Sequence, residues 1–438
     1  MAGGTFLTQN KVLPGVYINF TGKRQAVGVV GERGTMTMGL SMSWGTPKTV
    51  IEIHPGDDLS VTFGYDITAS QLLLVREALK RAQTVLLYRL NTGTKATVTT
   101  GNLTATAKWG GVRGNDLSVV IQTNLEDEER FDVHTLLSGE VVDTQTVAAI
   151  PELIANDWVV WSGTGNLAAT AGAPLVSGAD GSVTNSDHSD YLSAIELHDF
   201  NTIAYPGTAN DLKALYVAFA KRLRDDEGKK IQVVLENYTT ADFEGAISVK
   251  NGVRLSDGTV LTAAQATAWV AAATAGAAMN ESLTYEAYDD AVDVGTRYTN
   301  SQLETAVTAG EFVFVPAQEK AKVLVDINSF TSFEPTKGKM FSKNRVIRVL
   351  DGIGNDFKRI FESAYLGKVG NSADGRELLW GECAAYLRNL QNIGALQNVD
   401  PQTDLSVQQG TDSDSVYIEV NVQPIDSVEK IYVKVTVG

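Results

Sequence analysis

Few residues in this chain are equipped for covalent or metal chemistry. Four histidines (His54, His134, His188 and His198) and one cysteine (Cys383) are scattered over 438 residues. No two histidines stand at H-x-x-x-H spacing, and one cysteine can close no intramolecular disulfide and build no multi-cysteine zinc site. His198 and Asp199 are neighbours in sequence, which does not make a triad, and no G-x-S-x-G elbow occurs. Gly28, Gly31 and Gly34 are spaced G-x-x-G-x-x-G, unlike a dinucleotide fingerprint or a Walker A loop, and read as a turn leaving a strand. The acidic runs 126–129 and 404–414 lack calcium-loop spacing and read as solvated faces. Cys383 falls in a predicted helix as a small packing residue. We assign no catalytic, cofactor-binding or metal-ligating residue and expect no cofactor.

Charge is more informative. The chain carries 36 basic and 52 acidic residues, a formal charge of −16, which argues against general nucleic-acid binding. Residues 337–368 run the other way. Lys337, Lys339, Lys343, Arg345, Arg348, Lys358, Arg359 and Lys368 face only Asp351, Asp356 and Glu362, a local +5. An acidic protein surface is the expected partner, because no aromatic stacking platform or nucleic-acid module accompanies the charge. A second cluster, Asp225, Asp226 and Glu227 among Lys221, Arg222, Arg224, Lys229 and Lys230, reads as a charged helix end or a partner-facing site.

The elements that would carry these residues suggest several domains. Apolar content of 43% excludes disorder, and the length suits about three domains at ~150 residues each. The longest apolar run, 268–279, is short of the ~20 residues of a membrane span. No secretory pattern opens the sequence, so a soluble protein made in a reducing compartment is expected. An arm over 1–26 contains the alternation Val16, Ile18, Phe20. Region 27–94 reads as α/β. Strands are expected over 26–30, 49–53 and 84–90, with a helix ending at Ala82, and the last strand–helix–strand run fits a βαβ unit. Region 95–180 reads as β-rich, with five short strands and one short helix over 146–155. Region 181–334 returns to α/β, including an Ala-rich helix over 262–279. Region 335–438 reads as helices followed by two alternating strands, 416–422 and 431–437, with residues 408–411 as a flexible connection.

An ordered set of segments resembles one family. LPGVYINF near the start, WGGVRGNDLSVVI (109–121), FDVHTLLSGEVVDTQTV (131–147) and KRLRDDEGKK (221–230) are followed by AAATAGAAMNESLTY (271–285) and VDIN (325–328). FSKNRVIRVLDGI (341–353) and VQPIDSVEKIYVKVTV (422–437) complete it. In order and spacing the chain resembles the tail sheath proteins of contractile phage tails and phage-tail-like bacteriocins, in the form found in Gram-positive hosts. The resemblance implies a multidomain α/β fold: a non-catalytic subtilisin-like α/β domain, an inserted β-sandwich and an α+β C-terminal domain with strand-exchange arms, the C-terminal one over 411–438.

The resemblance also implies a mechanical role. Copies would stack as hexameric rings around an inner tail tube and contract to drive the tube through a target envelope. Partners would be further copies, the tube protein, and baseplate and collar or terminator proteins, with no nucleic acid and no membrane. The place would be a virion tail or tail-like particle made in the bacterial cytoplasm. Strand exchange is expected at Val16, Tyr17, Ile18, Phe20, Ile431, Tyr432, Val433 and Val435, and tube contact at Lys343, Arg345, Lys358 and Arg359. The competing expectations are a subtilisin-like or nucleotide-binding enzyme, which the missing nucleophile motif disfavours, and a cell-surface β protein.

Overall fold

The computed structural model describes the backbone of residues 2–4 and 15–17 and the chain from 30 to 437. The chain divides into two compact units, one of Glu32–Asn355 with Pro424–Gly438 and one of Met1–Gly31 with Asp356–Gln423.

The larger unit is organised on a seven-stranded sheet. In spatial order its strands are Glu311–Phe312, Ala246–Val249, Gln232–Glu236, Thr202–Ala204, Thr35–Leu40, Thr84–Arg89 and Val50–Ile53. All pairs are parallel except the last. The βαβ reading is therefore corrected. Val50–Ile53 runs antiparallel to Thr84–Arg89, whose parallel neighbour is Thr35–Leu40. Of the strand expected over 26–30, residues 26–29 lie outside the described residues and Val30 is in no strand. Gly31 and Gly34 precede Thr35–Leu40, and the strand they were expected to leave falls largely outside the described residues.

Both faces of this sheet are covered, and its central strands Thr84–Arg89 and Gln232–Glu236 are buried almost throughout. Along Thr84–Arg89, Val85 and Leu87 join Met36, Met38, Val234 and Ile247 in one core, while Leu86 and Tyr88 join Ile203 and Val233 in the other. Helix Ala263–Gly276 fills the first core. A capping box starts it: Gln265 N–H donates to Thr262 Oγ1 at 3.2 Å, and Thr262 N–H donates to Gln265 Oε1 at 2.9 Å. Its alanines let the backbone approach the sheet, and Trp269 stacks on Tyr288 with ring centroids 4.4 Å apart. Helices Asn185–Ile195 and Asn210–Asp225 cover the other face.

Residues 97–174 form two packed antiparallel sheets. One holds Glu140–Val147, Phe131–Leu137, Leu117–Thr123 and Thr170–Pro174; the other holds Val159–Gly163, Leu103–Ala107 and Thr97–Thr100. The helix expected over 146–155 is replaced by the strand Glu140–Val147 and a single 3₁₀ turn, Ile150–Glu152. Leu103, Ala105, Leu117, Val119, Ile121, Val133 and Val159 build the sandwich core, and Trp44 enters it against Trp158. Buried Arg89 ties the root of this domain to the central sheet. It donates to the carbonyls of Gly45, Thr92 and Gly110 at 2.6, 3.0 and 2.5 Å.

The two helices expected over 345–350 and 357–366 are one helix, Asn344–Ala364, which carries the chain from the larger unit into the smaller. In the smaller unit, helix Ala373–Asn392 packs on a hairpin, Leu405–Gln409 with Val416–Val420. The flexible connection expected at 408–411 is corrected: Gln408 and Gln409 are in the first hairpin strand and 410–415 make its turn. Cys383, Ala384 and Leu405 form the core there, and burial pushes the Cys383 thiol up to about 12, as for a packing residue. Ala2–Gly4 pairs in parallel with Gly15–Tyr17.

Candidate functional site

The chemistry-bearing residues do not converge. His188 is buried against Tyr205 and Tyr216, its Nδ1 2.9 Å from Tyr216 Oη, and burial lowers its pKa. His134 bonds Gln122 and Thr144 on the sandwich, and His54 lies near Glu52. His198 and Asp199 are exposed. Among the described residues no group of three or more His, Cys, Asp or Glu is placed to hold a metal ion. No helix among them is long and apolar enough to cross a membrane.

The basic segment resolves largely into internal contacts. Lys337 pairs with Glu244 at 2.7 Å. Lys343 pairs with Glu429, and both side chains are mostly covered. Arg348 is buried, donating to the Glu281 carbonyl at 2.5 Å beside Asp326. Arg345 is partly buried, and desolvation lowers its pKa. Arg359 remains exposed while donating to Asp356 at 3.2 Å, and Lys358 is exposed. Of the four expected tube-contact residues, Lys343 and Arg345 are thus turned toward the chain itself, and Lys358 and Arg359 face solvent. The other charged cluster is also partly internal. Arg224 forks onto buried Asp351 at 2.6 and 2.7 Å, and Arg222 pairs with Glu196 and Glu227. Glu244, Glu429, Asp326, Glu196 and Asp351 were not legible as partners, because each lies outside the run whose cation it meets.

The C-terminal segment stands apart. Residues 431–437 are in no strand. The reason is physical: a strand is defined by a ladder, and among the described residues no strand pairs with this segment. Its Ile431, Tyr432, Val433, Val435 and Val437 are between 78% and 90% exposed. The hairpin Leu405–Gln409/Val416–Val420 has no further strand on either edge among the described residues, and Tyr417 is exposed on it. At the N-terminus, Val16 and Tyr17 lie in the short strand Gly15–Tyr17, while their side chains, and Ile18 and Phe20 entirely, lie outside the described residues. A groove of about 620 Å³ in the larger unit, lined by Leu303, Val307, Ile327 and Phe330, has Glu429 and Lys430 at its rim.

Comparison with known proteins decides the class. Residues 33–90 match the model of the tail sheath protein Gp18 domain III N-terminal region, and 91–180 the phage tail sheath protein beta-sandwich domain. Residues 181–329 match the phage tail sheath protein central domain, and 336–438 the phage tail sheath C-terminal domain. The chain belongs to the phage tail sheath family. The solved sheath tail protein of Desulfitobacterium hafniense is 62% identical, with a TM-score of 0.89 over 96% of this chain and 99% of that one. The phage-like element PBSX protein XkdK of Bacillus subtilis is 39% identical over the full length of both. The helical sheath of the anti-feeding prophage in its contracted state shares the fold, with a TM-score of 0.58 at 12% identity over 97% of this chain and 99% of that one. This sheath protein therefore has the multidomain α/β architecture with a β-sandwich domain, and its family is structural.

Proposed function

We propose that this protein is the structural, non-enzymatic subunit of a contractile tail sheath. Copies polymerise as stacked hexameric rings around an inner tube, between baseplate and collar or terminator proteins, in a virion tail or tail-like particle. Contraction drives the tube through a target envelope. The stored free energy lies in subunit contacts that improve on contraction, so no nucleotide is needed. The division into an arm over 1–26, an α/β region over 27–94, a β-sandwich over 95–180, a subtilisin-like but non-catalytic domain over 181–334 and a C-terminal domain over 335–438 belongs to this reading.

The observation that carries it is the exposed apolar row of Ile431, Val433, Val435 and Val437, which pairs with no strand among the described residues. A terminal strand donated to a neighbour's sheet edge gains backbone hydrogen bonds and buries one side-chain row, at about 1.5–3 kcal/mol per large apolar side chain. The N-terminal Val16, Tyr17, Ile18 and Phe20 would act likewise. Of the four residues expected at the tube, Lys358 and Arg359 are the exposed ones, and they would meet an acidic tube surface. Negative-stain microscopy of purified protein tests the reading, with a truncation lacking 430–438 alongside. We expect striated tubes from the full chain and folded monomers from the truncation. Monomers from the full chain under all conditions, or normal tubes from the truncation, would contradict it.

A further inference from the structure

Each terminal arm is preceded or followed by a point where a carboxylate grips the chain. On the N-terminal side the point is Gly31. Its N–H donates to both carboxylate oxygens of Asp356, at 3.0 and 2.9 Å. The same carboxylate accepts from Tyr386 Oη at 2.7 Å and Arg359 Nη2 at 3.2 Å. Asp356 is 4% exposed and Tyr386 fully buried. The fit leaves no room for a side chain: a Cβ at Gly31 would stand 2.3 Å from Asp356 Oδ1.

On the C-terminal side the point is Glu429. It accepts from Lys343 Nζ with one oxygen and from Thr284 Oγ1 at 3.0 Å with the other. Two residues later the exposed segment begins. Asp356 lies within the helix Asn344–Ala364, and Lys343 immediately precedes it.

We propose that Asp356 and Glu429 are positioning residues for assembly. Each fixes where, and in which direction, an arm leaves its own unit, so that the arm is presented to a neighbouring copy. The inference rests on the arm reading above. A charged hydrogen-bond anchor suits the task because it is directional and strong at a single point. An apolar anchor would bury the side chains that the neighbour must receive. Freeing one root residue adds one more residue to be ordered when the arm docks, which weakens association by about tenfold.

The test uses the full chain with Asp356→Asn and Glu429→Gln, which keep shape and remove charge. Tyr386→Phe and Thr284→Ala, which delete one bond each, serve if either of the first pair fails to fold. Two readouts are taken: the critical concentration for polymerisation, and spin-label distance distributions in unassembled protein, between 16 and 376 for the N-terminal root and between 303 and 435 for the C-terminal root. We expect folded monomers, a critical concentration raised about tenfold, and a broadened distribution for the matching root only. Assembly at the wild-type concentration overturns the proposal, and so does lost assembly with unchanged distributions. Failure of the arm reading itself shows differently, as normal tubes from the truncation lacking 430–438.

Discussion

Thr84–Arg89 and the segment 431–437 are built from similar residues and meet different fates. The first, TVLLYR, has a parallel strand on one side, an antiparallel strand on the other, and a core over each face. The second, IYVKVTV, carries an alternating apolar row, Ile431, Val433, Val435 and Val437, and these side chains stand in solvent. Local preference for extended structure is common to both. What differs is the supply of partners: Thr84–Arg89 has a strand on either side, whereas 431–437 pairs with no strand among the described residues. An unpaired β-branched stretch is a ready template for pairing with another chain. The body is thus stabilised from within, whereas the tail is proposed to gain its partners on assembly.

The contrast can be broken or sharpened by variants in each region. The largest stability effect is expected from Trp269→Ala in the body. Trp269 is fully buried, stacks on Tyr288 and donates to Asp289 at 2.8 Å. Its loss should cost about 3–5 kcal/mol in a urea melt of the monomer, a large share of a typical domain's stability. The tail truncation should leave that melt unchanged. An equal loss of stability in both would erase the distinction. Charge reversal of Lys358 and Arg359 should have a smaller effect. It should impair loading on tubes most at low salt, because exposed charges are screened beyond ~10 Å at 0.1 M. Unchanged loading in low salt would remove these two residues from the tube surface.

The sequence was readable wherever periodicity or β-branching was strong. Helices near 212–224, 262–279 and 376–390 and strands near 84–90, 117–123 and 131–137 all stand close to where the pattern puts them. It failed where a strand carries few β-branched apolar residues. Thr35–Leu40 reads TMTMGL, and only the two cores that enclose it make it a central strand. Leu405–Gln409 has two apolar residues, Leu405 and Val407, beside an acidic turn, and so resembled a linker. The arm roots were illegible for a different reason. Glu429 meets Lys343 across 86 residues and Asp356 meets Gly31 across 325, so no local spacing announces either contact. The basic run was legible as composition and misleading as a surface, since charge counting says nothing of where Asp326, Glu244 and Glu429 come to lie.

The central claim, that residues 431–437 find their strand partners only in another copy, is tested most directly by amide hydrogen exchange on the monomer and on the polymer. The account predicts near-unprotected exchange for these amides in the monomer and protection of at least about 100-fold in the polymer, with the body strands protected in both. Amides of 431–437 that stay unprotected in the polymer, or that are already protected in the monomer, would contradict it.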